Sequence, residues 1–382
     1  MRLAVVHNLT TGGAHRRLAE QVAAFPHEVV EFTTSAASPV TARPYLLPLT
    51  LLAPTRPALL RPPLRVLDLH RLSAAWRALG DMAERCGPDA IFVNPDSILR
   101  GAMPIGRRGV PVIRYCDEPR RIDYEPAMRA SLNPRTRVLY AGLRRIERRL
   151  DRAGLAEAGA VTTNSRYTAA AIARSYGRSA EVLPCGAPEH MTPGPPTAPV
   201  HLLSVGSLIR TKGHDLVIEA AALSGIGRPV VVVAPADVPG EGVRLRRAAE
   251  RLGVRLTIRI GVTDAELVDL YRSAFATLYL AAAEPLGLVS LEAQACGSPV
   301  IVAGEGGLPE TVEHGRAGLV VPRTAAAAGQ ALSALSRDGR RDDMANAARA
   351  SANGHGWRAS ARGLADLVDR CRAGATAEGA TV

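Results

Sequence analysis

Short apolar runs alternate with helical periods along this chain, and the alternation runs through twice; no other feature narrows the fold so far. "LAVVH" (3–7), "AIFV" (90–93), "VPVIRY" (110–115) and "AVTT" (160–163) read as buried parallel strands, with helical periods at Val66–Cys86 and Asn133–Glu157. "CGAPEHMTPGPPTAP" then interrupts the pattern at 185–199, with prolines at 188, 193, 195, 196 and 199 that suit neither strand nor helix. The alternation restarts with strands "HLLSVG" (201–206), "PVVVVA" (229–234), "RLTIRI" (255–260), "ATLYL" (276–280) and "PVIVA" (299–303). A last helical period, 357–372, follows with little sheet left to extend. The 382 residues exceed what one core holds. The expected architecture is therefore α/β, two Rossmann-like parallel-sheet domains in series, facing each other across a cleft. The boundaries are 1–187, a proline-rich linker 188–199, 200–355, and a terminal helix and tail 356–382.

Charge and cysteine usage exclude several classes. The net charge is +11, but only 4% of residues are aromatic and no recognition motif accompanies the charge, so nucleic acid is not an expected partner. Arginines 144, 145, 148, 149 and 152 recur at helical spacing, which suits a solvated helix face, or contact with an anionic lipid or acceptor. Five scattered cysteines argue against a disulfide framework or zinc cluster and for a reducing cytoplasm. No apolar stretch approaches the ~20 residues that span a bilayer. Residues 38–63 carry seven prolines among leucines, reading either as a loop packed on the first domain or as an acceptor-side, membrane-dipping loop.

The chemistry concentrates in "AEPLGLVSLEAQACGSPVIVAGEGGLPE" (283–310). A helix beginning near Gly287 offers free N–H groups to an anion. Eight residues of helix turn about 800°, some 80° net, so Glu284 and Glu292 can face one ligand carrying hydroxyls and phosphates together. Upstream stands Lys212, the chain's single lysine among 46 arginines. A chain that keeps one ammonium there plausibly needs a compact charge and not a planar fork. Gly12 and Gly13 follow the first strand and open a helix, which fits a plain tight turn or a backbone approaching a ligand.

The 283–310 string resembles the retaining glycosyltransferases of family 4, a GT-B family, at nearly every fixed position of E-P-[FL]-G-L-x-x-x-E-A-x-A-x-G-x-P-V-[IV]-x-x-x-x-G-G-x-P-E. "VGSLIRTKG" (205–213) resembles that family's G-R-L-x-x-x-K-G, and "VIRYCDEP" (112–119) its segment ending Cys-His-Glu-Pro. The resemblance implies that Glu284 holds donor-sugar hydroxyls and Glu292 the nucleotide ribose. It implies that Gly287 and Leu288 present N–H groups to the phosphates or the sugar, that Gly306 and Gly307 lie against the donor, and that Lys212 holds the diphosphate. Glu310 follows as in the family, in a binding or a structural role. Two positions depart: Ser207 stands at the arginine that would share the diphosphate, with Arg210 in the same loop as a substitute, and Asp117 stands at the histidine near the reacting carbon. Asp117 is the catalytic candidate, ahead of neighbouring Glu118.

The implied activity is retaining transfer of a sugar from a UDP- or GDP-type nucleotide sugar to an acceptor hydroxyl of a natural product or a cell-surface glycan or lipid. No cofactor or metal is expected, because Lys212 and backbone dipoles supply the positive charge. The alternatives are a sugar-nucleotide epimerase or hydrolase on the same fold, or a non-catalytic nucleotide-sugar-binding scaffold. The expected setting is the cytoplasm, with peripheral membrane contact left open. The terminal helix is free in this fold to return to the first domain.

Overall fold

The computed structural model describes residues 1–10, 12–35, 38–53, 61–125, 140–194, 198–337, 339–352 and 356–379. The chain divides into two compact units, one of residues 1–183 with 358 onward, the other of residues 184–357.

The first unit runs β1 (Arg2–His7), α1 (Gly12–Ala23), β2 (Glu28–Thr33), β3 (Tyr45–Leu46), α2 (Arg61–Arg85), β4 (Ala90–Val93), β5 (Val112–Tyr115), α3 (Arg121–Tyr124), α4 (Ala141–Ala156), β6 (Ala160–Thr163), α5 (Arg166–Tyr176) and β7 (Glu181–Val182). Its sheet order is β3-β2-β1-β4-β5-β6-β7, every pair parallel. Buried on both faces, β4 and β5 expose none of their residues; β4 reads as an unbroken apolar run, and β5 is broken only by Arg114, which is itself buried and donates to the Met103 carbonyl at 2.6 Å.

β2 escapes that pattern because Glu31 interrupts it. The carboxylate is fully buried, accepts from His7 Nε2 at 2.8 Å and takes the N–H groups of Val40 and Thr41. It thus ties the proline-rich segment to the sheet, and the ordered donors hold its carboxyl below the usual range against the opposing effect of burial. Farther along, Asp68 on α2 accepts from the N–H groups of Leu52 and Ala53. Residues 38–53 therefore pack on this unit, and the only strand they contribute is the two-residue edge β3, as proline favours. Residues 54–60 of that loop, and 129–139 of the arginine-rich stretch, lie outside the described residues. Of the arginine stripe, Arg145, Arg148, Arg149 and Arg152 on α4 are exposed.

The second unit runs β8 (His201–Val205), α6 (His214–Ser224), β9 (Val230–Ala234), α7 (Glu241–Arg251), β10 (Leu256–Ile260), α8 (Asp264–Arg272), β11 (Ala274–Tyr279), α9 (Leu288–Ala295), β12 (Val300–Ala303), β13 (Gly318–Val321), α10 (Ala325–Leu335) and α11 (Arg340–Ala352). Its sheet is parallel throughout, in the order β10-β9-β8-β11-β12-β13. Of the segment expected to be a linker, 188–199, the described residues belong to this unit. Met191 is buried in its core, and Arg272 donates to the Thr192 carbonyl at 3.0 Å.

The last helix, α12 (Trp357–Gly379), returns to the first unit: Ala361, Leu364, Ala365, Leu367 and Val368 lie in one cluster with Leu3, Val5, Phe92 and Ile113. Among the described residues no helix is long and apolar enough to cross a membrane.

Candidate active site

In the second sheet the strand order reverses between β8 and β11, and the carboxyl ends of strands at such a reversal are where open parallel sheets bind ligands. The chain leaving β8 passes Gly206 and Ser207, makes a 3-10 turn at Arg210–Lys212 and enters α6. The chain leaving β11 runs through Ala283 and Glu284 into α9. The two loops meet, the Ala282 N–H donating to the Thr211 carbonyl at 2.7 Å.

Lys212 is the hub. Its Nζ donates to Glu284 Oε2 at 2.8 Å and to Tyr279 Oη at 3.1 Å, and lies 5.5 Å from the Tyr279 ring centroid. Both charged side chains remain one-fifth exposed, enough to meet a ligand. Burial, with the Glu284 carboxylate adding to it, pushes the Tyr279 phenol well above its ordinary value, so it stays a neutral hydroxyl between the two charges. Glu292 lies deeper, 3% exposed, and accepts from Tyr271 Oη at 3.0 Å.

The loop carrying Lys212 is fixed from beneath by His214. Burial pulls this imidazole below its usual range, so the ring is neutral. Its Nε2–H donates to the Ser207 carbonyl at 3.2 Å, and the Ser204 hydroxyl donates to Nδ1 at 2.8 Å. Ser207 thus enters the site's framework through its backbone. Arg210 is exposed, and the carboxylate that feels its charge is Glu241 on α7, whereas Lys212 is paired to Glu284.

The Glu284 loop is held under strain. Ala283 adopts φ 47°, a left-handed conformation that a residue with a side chain rarely occupies without outside support. Gly306 and Gly307 supply that support. The Gly307 N–H donates to the Glu284 carbonyl at 2.7 Å, and a Cβ on Gly307 would sit 2.1 Å from the Pro285 oxygen. A Cβ on Gly306 would sit 2.4 Å from the Glu284 oxygen. What demands glycine at both positions is therefore the backbone that presents Glu284. Glu310 follows in a 3-10 turn (Leu308–Thr311), its N–H donating to the Gly307 carbonyl. α9 starts at Leu288 with Gly287 as its cap, so no side chain occupies the N–H groups of its first turn.

The first sheet reverses between β1 and β4, and a second constellation sits at that reversal. Gly12, at φ 87°, and Gly13 open α1 and are exposed. One turn on, Arg17 is 2% exposed, donating to Gln21 Oε1 at 3.1 Å and to Asn94 Oδ1 at 2.7 Å. Its guanidinium carbon lies 3.5 Å from the Tyr115 ring centroid. Arg17 Nε is 3.9 Å from Asp117 Oδ1. Asp117 keeps a quarter of its side chain exposed, and burial of the remainder raises its carboxyl while Arg17 opposes the rise. Glu118 is exposed beside it.

Sequence reasoning missed Tyr279, Tyr271, His214, Asn94 and Arg17. Tyr279 and Asn94 carry a readable signal, a polar group at the carboxyl end of an apolar strand. Arg17 carries a fainter one, an arginine on the inward stripe of α1 beside Leu18 and Gln21. Among the described residues no group of three or more His, Cys, Asp or Glu is placed to hold a metal ion.

Residues 190–351 match the family model of glycosyl transferases group 1, and residues 15–189 that of glycosyltransferase family 4. The chain is 36% identical over 176 residues to a D-inositol 3-phosphate glycosyltransferase of Arthrobacter sp. (strain FB24), covering 44% of this chain and 42% of that one. It is 37% identical over 198 residues to the same-named protein of Streptosporangium roseum, covering 48% and 45%. The match thus spans less than half the length of these curated relatives. Among solved structures, a sucrose-phosphate synthase from Thermosynechococcus elongatus superposes with a TM-score of 0.73 at 21% identity, covering 98% of this chain and 99% of that one. HepE of Anabaena, in complex with UDP and glucose, superposes at 0.71 and 18% identity, covering 97% and 99%. Both likenesses are of fold.

Proposed function

Because the chain belongs to the group 1 glycosyltransferases of GT-B fold, we propose that it transfers a sugar from a UDP-sugar to an acceptor hydroxyl with retention of anomeric configuration. The observation that carries the reading is Lys212, the one lysine, bonded to Glu284 and Tyr279 beside the start of α9. An ammonium has three donors; two are engaged here, and the third is left for the leaving diphosphate. The uncapped first turn of α9, Gly287 and Leu288, adds dipolar stabilisation to the same developing charge.

Glu284, a fifth exposed and pinned by Gly306 and Gly307, accepts from donor-sugar hydroxyls. Glu292, oriented by Tyr271, takes the ribose. Asp117 accepts a hydrogen bond from the acceptor or the sugar and stabilises the oxocarbenium-like charge of the transition state. The departing phosphate assists removal of the acceptor proton. The transfer is read as metal-independent, since Lys212 and α9 supply the neutralising charge. UDP is favoured by HepE, whose solved structures hold UDP or UDP-glucose. The acceptor class is a natural product or a cell-surface glycan or lipid.

The test is thermal-shift titration of wild type and Lys212→Ala with UDP, GDP, dTDP and ADP. UDP stabilises the wild type, and the gain disappears in the variant. If no nucleotide stabilises the wild type, the donor site is degenerate and the reading fails. Proton NMR of the product's anomeric centre then decides retention.

A further inference from the structure

Arg17 has an unusual environment. A guanidinium 2% exposed is expected to be paired, because an isolated buried cation is costly. Its close partners are neutral: Gln21 and Asn94 accept from its two terminal nitrogens, and Tyr115 lies beneath its face. Gln21 is itself held by the final helix, donating to Ser360 Oγ at 3.1 Å. Arg17 Nε finds no hydrogen-bond acceptor among the described residues. The carboxylate recorded within ion-pair distance is Asp117, 3.9 Å from Nε, too far for a hydrogen bond and close enough for Coulombic coupling. Three neutral contacts therefore aim a rigid positive charge at a carboxylate whose own oxygens it does not occupy.

We propose that Arg17 is the positioning residue of Asp117: its fixed charge, 3.9 Å away, holds that side chain in place at the carboxyl end of β5 while leaving its oxygens free to accept from a ligand. The groups facing Asp117 bear this out from each direction. From α1 comes Arg17; on its own loop, Cys116 is a thiol that burial pushes up and keeps neutral, and Glu118 is exposed; Asn164, beyond β6, donates to the Asp117 carbonyl at 3.3 Å and carries no charge. Burial raises the Asp117 carboxyl and the Arg17 charge opposes that rise. Removing Arg17 must therefore move the carboxyl upward. A neighbouring Arg lowers an Asp by about 1–3 pH units, and partial exposure puts the expected change near ~1.

This rests on the transferase reading only for its kinetic half, and the two parts are read separately. Carbon-detected NMR titration of the Asp117 carboxyl in ligand-free wild type, Arg17→Met and Arg17→Lys reads the coupling with no activity needed. The midpoint rises by ~1 unit in Arg17→Met and returns most of the way in Arg17→Lys. In parallel, the acidic limb of the pH profile of UDP release moves up by the same amount in Arg17→Met. A midpoint that stays within a few tenths of a unit overturns the proposal, as does a limb that stays put while the midpoint moves. Should Arg17→Met fail to fold, Arg17→Lys against wild type carries the comparison, with a smaller upward shift expected. A midpoint that moves in a protein releasing no UDP supports the pair and sinks the transferase reading.

Discussion

At the residue scale the proposed donor site reduces to one ammonium in a shaped slot. Lys212→Ala removes a charge-assisted contact to diphosphate of roughly 1.5–3 kcal/mol, so UDP affinity falls about 10- to 100-fold by calorimetry. Lys212→Arg restores little, because a planar fork cannot fit the point between Tyr279 Oη and Glu284 Oε2 that the ammonium occupies. A wild-type affinity in Lys212→Arg would show that charge alone matters. Gly307→Ala puts a Cβ 2.1 Å from the Pro285 oxygen, a backbone atom that can yield only by moving the loop that presents Glu284. A loss of about 1–3 kcal/mol in denaturant melts is expected, together with weaker donor binding. His214 gives a pH signature. Its folded pKa is depressed, so its contribution is fully present above the ordinary value of ~6.5 and is lost as pH falls through the lower folded value. His201 on β8, lowered by burial in the same way, acts with the same sign. Melts at pH 7.5, 6.5 and 5.5 should show the second unit weakening with acid, less steeply in His214→Asn.

At the element scale, strands buried on both faces were the most legible. The run 90–93 coincides with β4 and 160–163 with β6, and 201–206 overshoots β8 by one residue. The start of α9 was placed within a residue because "PLG" stands where an apolar strand run gives way to a helical period. β2 was missed since Glu28 and Glu31 break its apolar run, and nothing local reveals that Glu31 is hydrogen-bonded to His7 on the neighbouring strand. β7 is a two-residue edge strand with no pattern long enough to register, and the four-residue edge strand β13 was passed over. The candidate site divides in the same way. Lys212 stood out by rarity, and Glu284 and Glu292 by the resemblance of the whole 283–310 string, whereas Arg17 and His214 act through partners distant in sequence or through backbone carbonyls. In the 188–199 linker the sequence gives no sign of packing: proline forbids regular structure, but not burial, and Met191 is buried.

At the scale of the whole molecule, the first unit is built from both ends of the described chain. Leu364 is 1% exposed among Leu3, Val5 and Phe92, so Leu364→Ala should cost about 2–5 kcal/mol and speed hydrogen exchange in β1 and β4 while leaving β8 and β11 unchanged. Equal acceleration in both sheets would contradict the division into units. EDTA should leave the initial rate of UDP release unaltered, since the neutralising charge is assigned to Lys212 and α9; a loss restored by Mg²⁺ would overturn that assignment.

Because α12 closes a cluster whose other members lie before residue 184, the order of assembly during synthesis is constrained. The second unit is complete in sequence by Trp357, while the first still lacks one covering layer that the ribosome has not yet released. For the time needed to translate 174 intervening residues (184–357), the apolar face under Leu364 and Val368 is left uncovered and open to chaperones. A chain truncated after residue 357 should therefore present a finished second unit and a first unit lacking its covering helix, which is the part a quality-control protease would attack first.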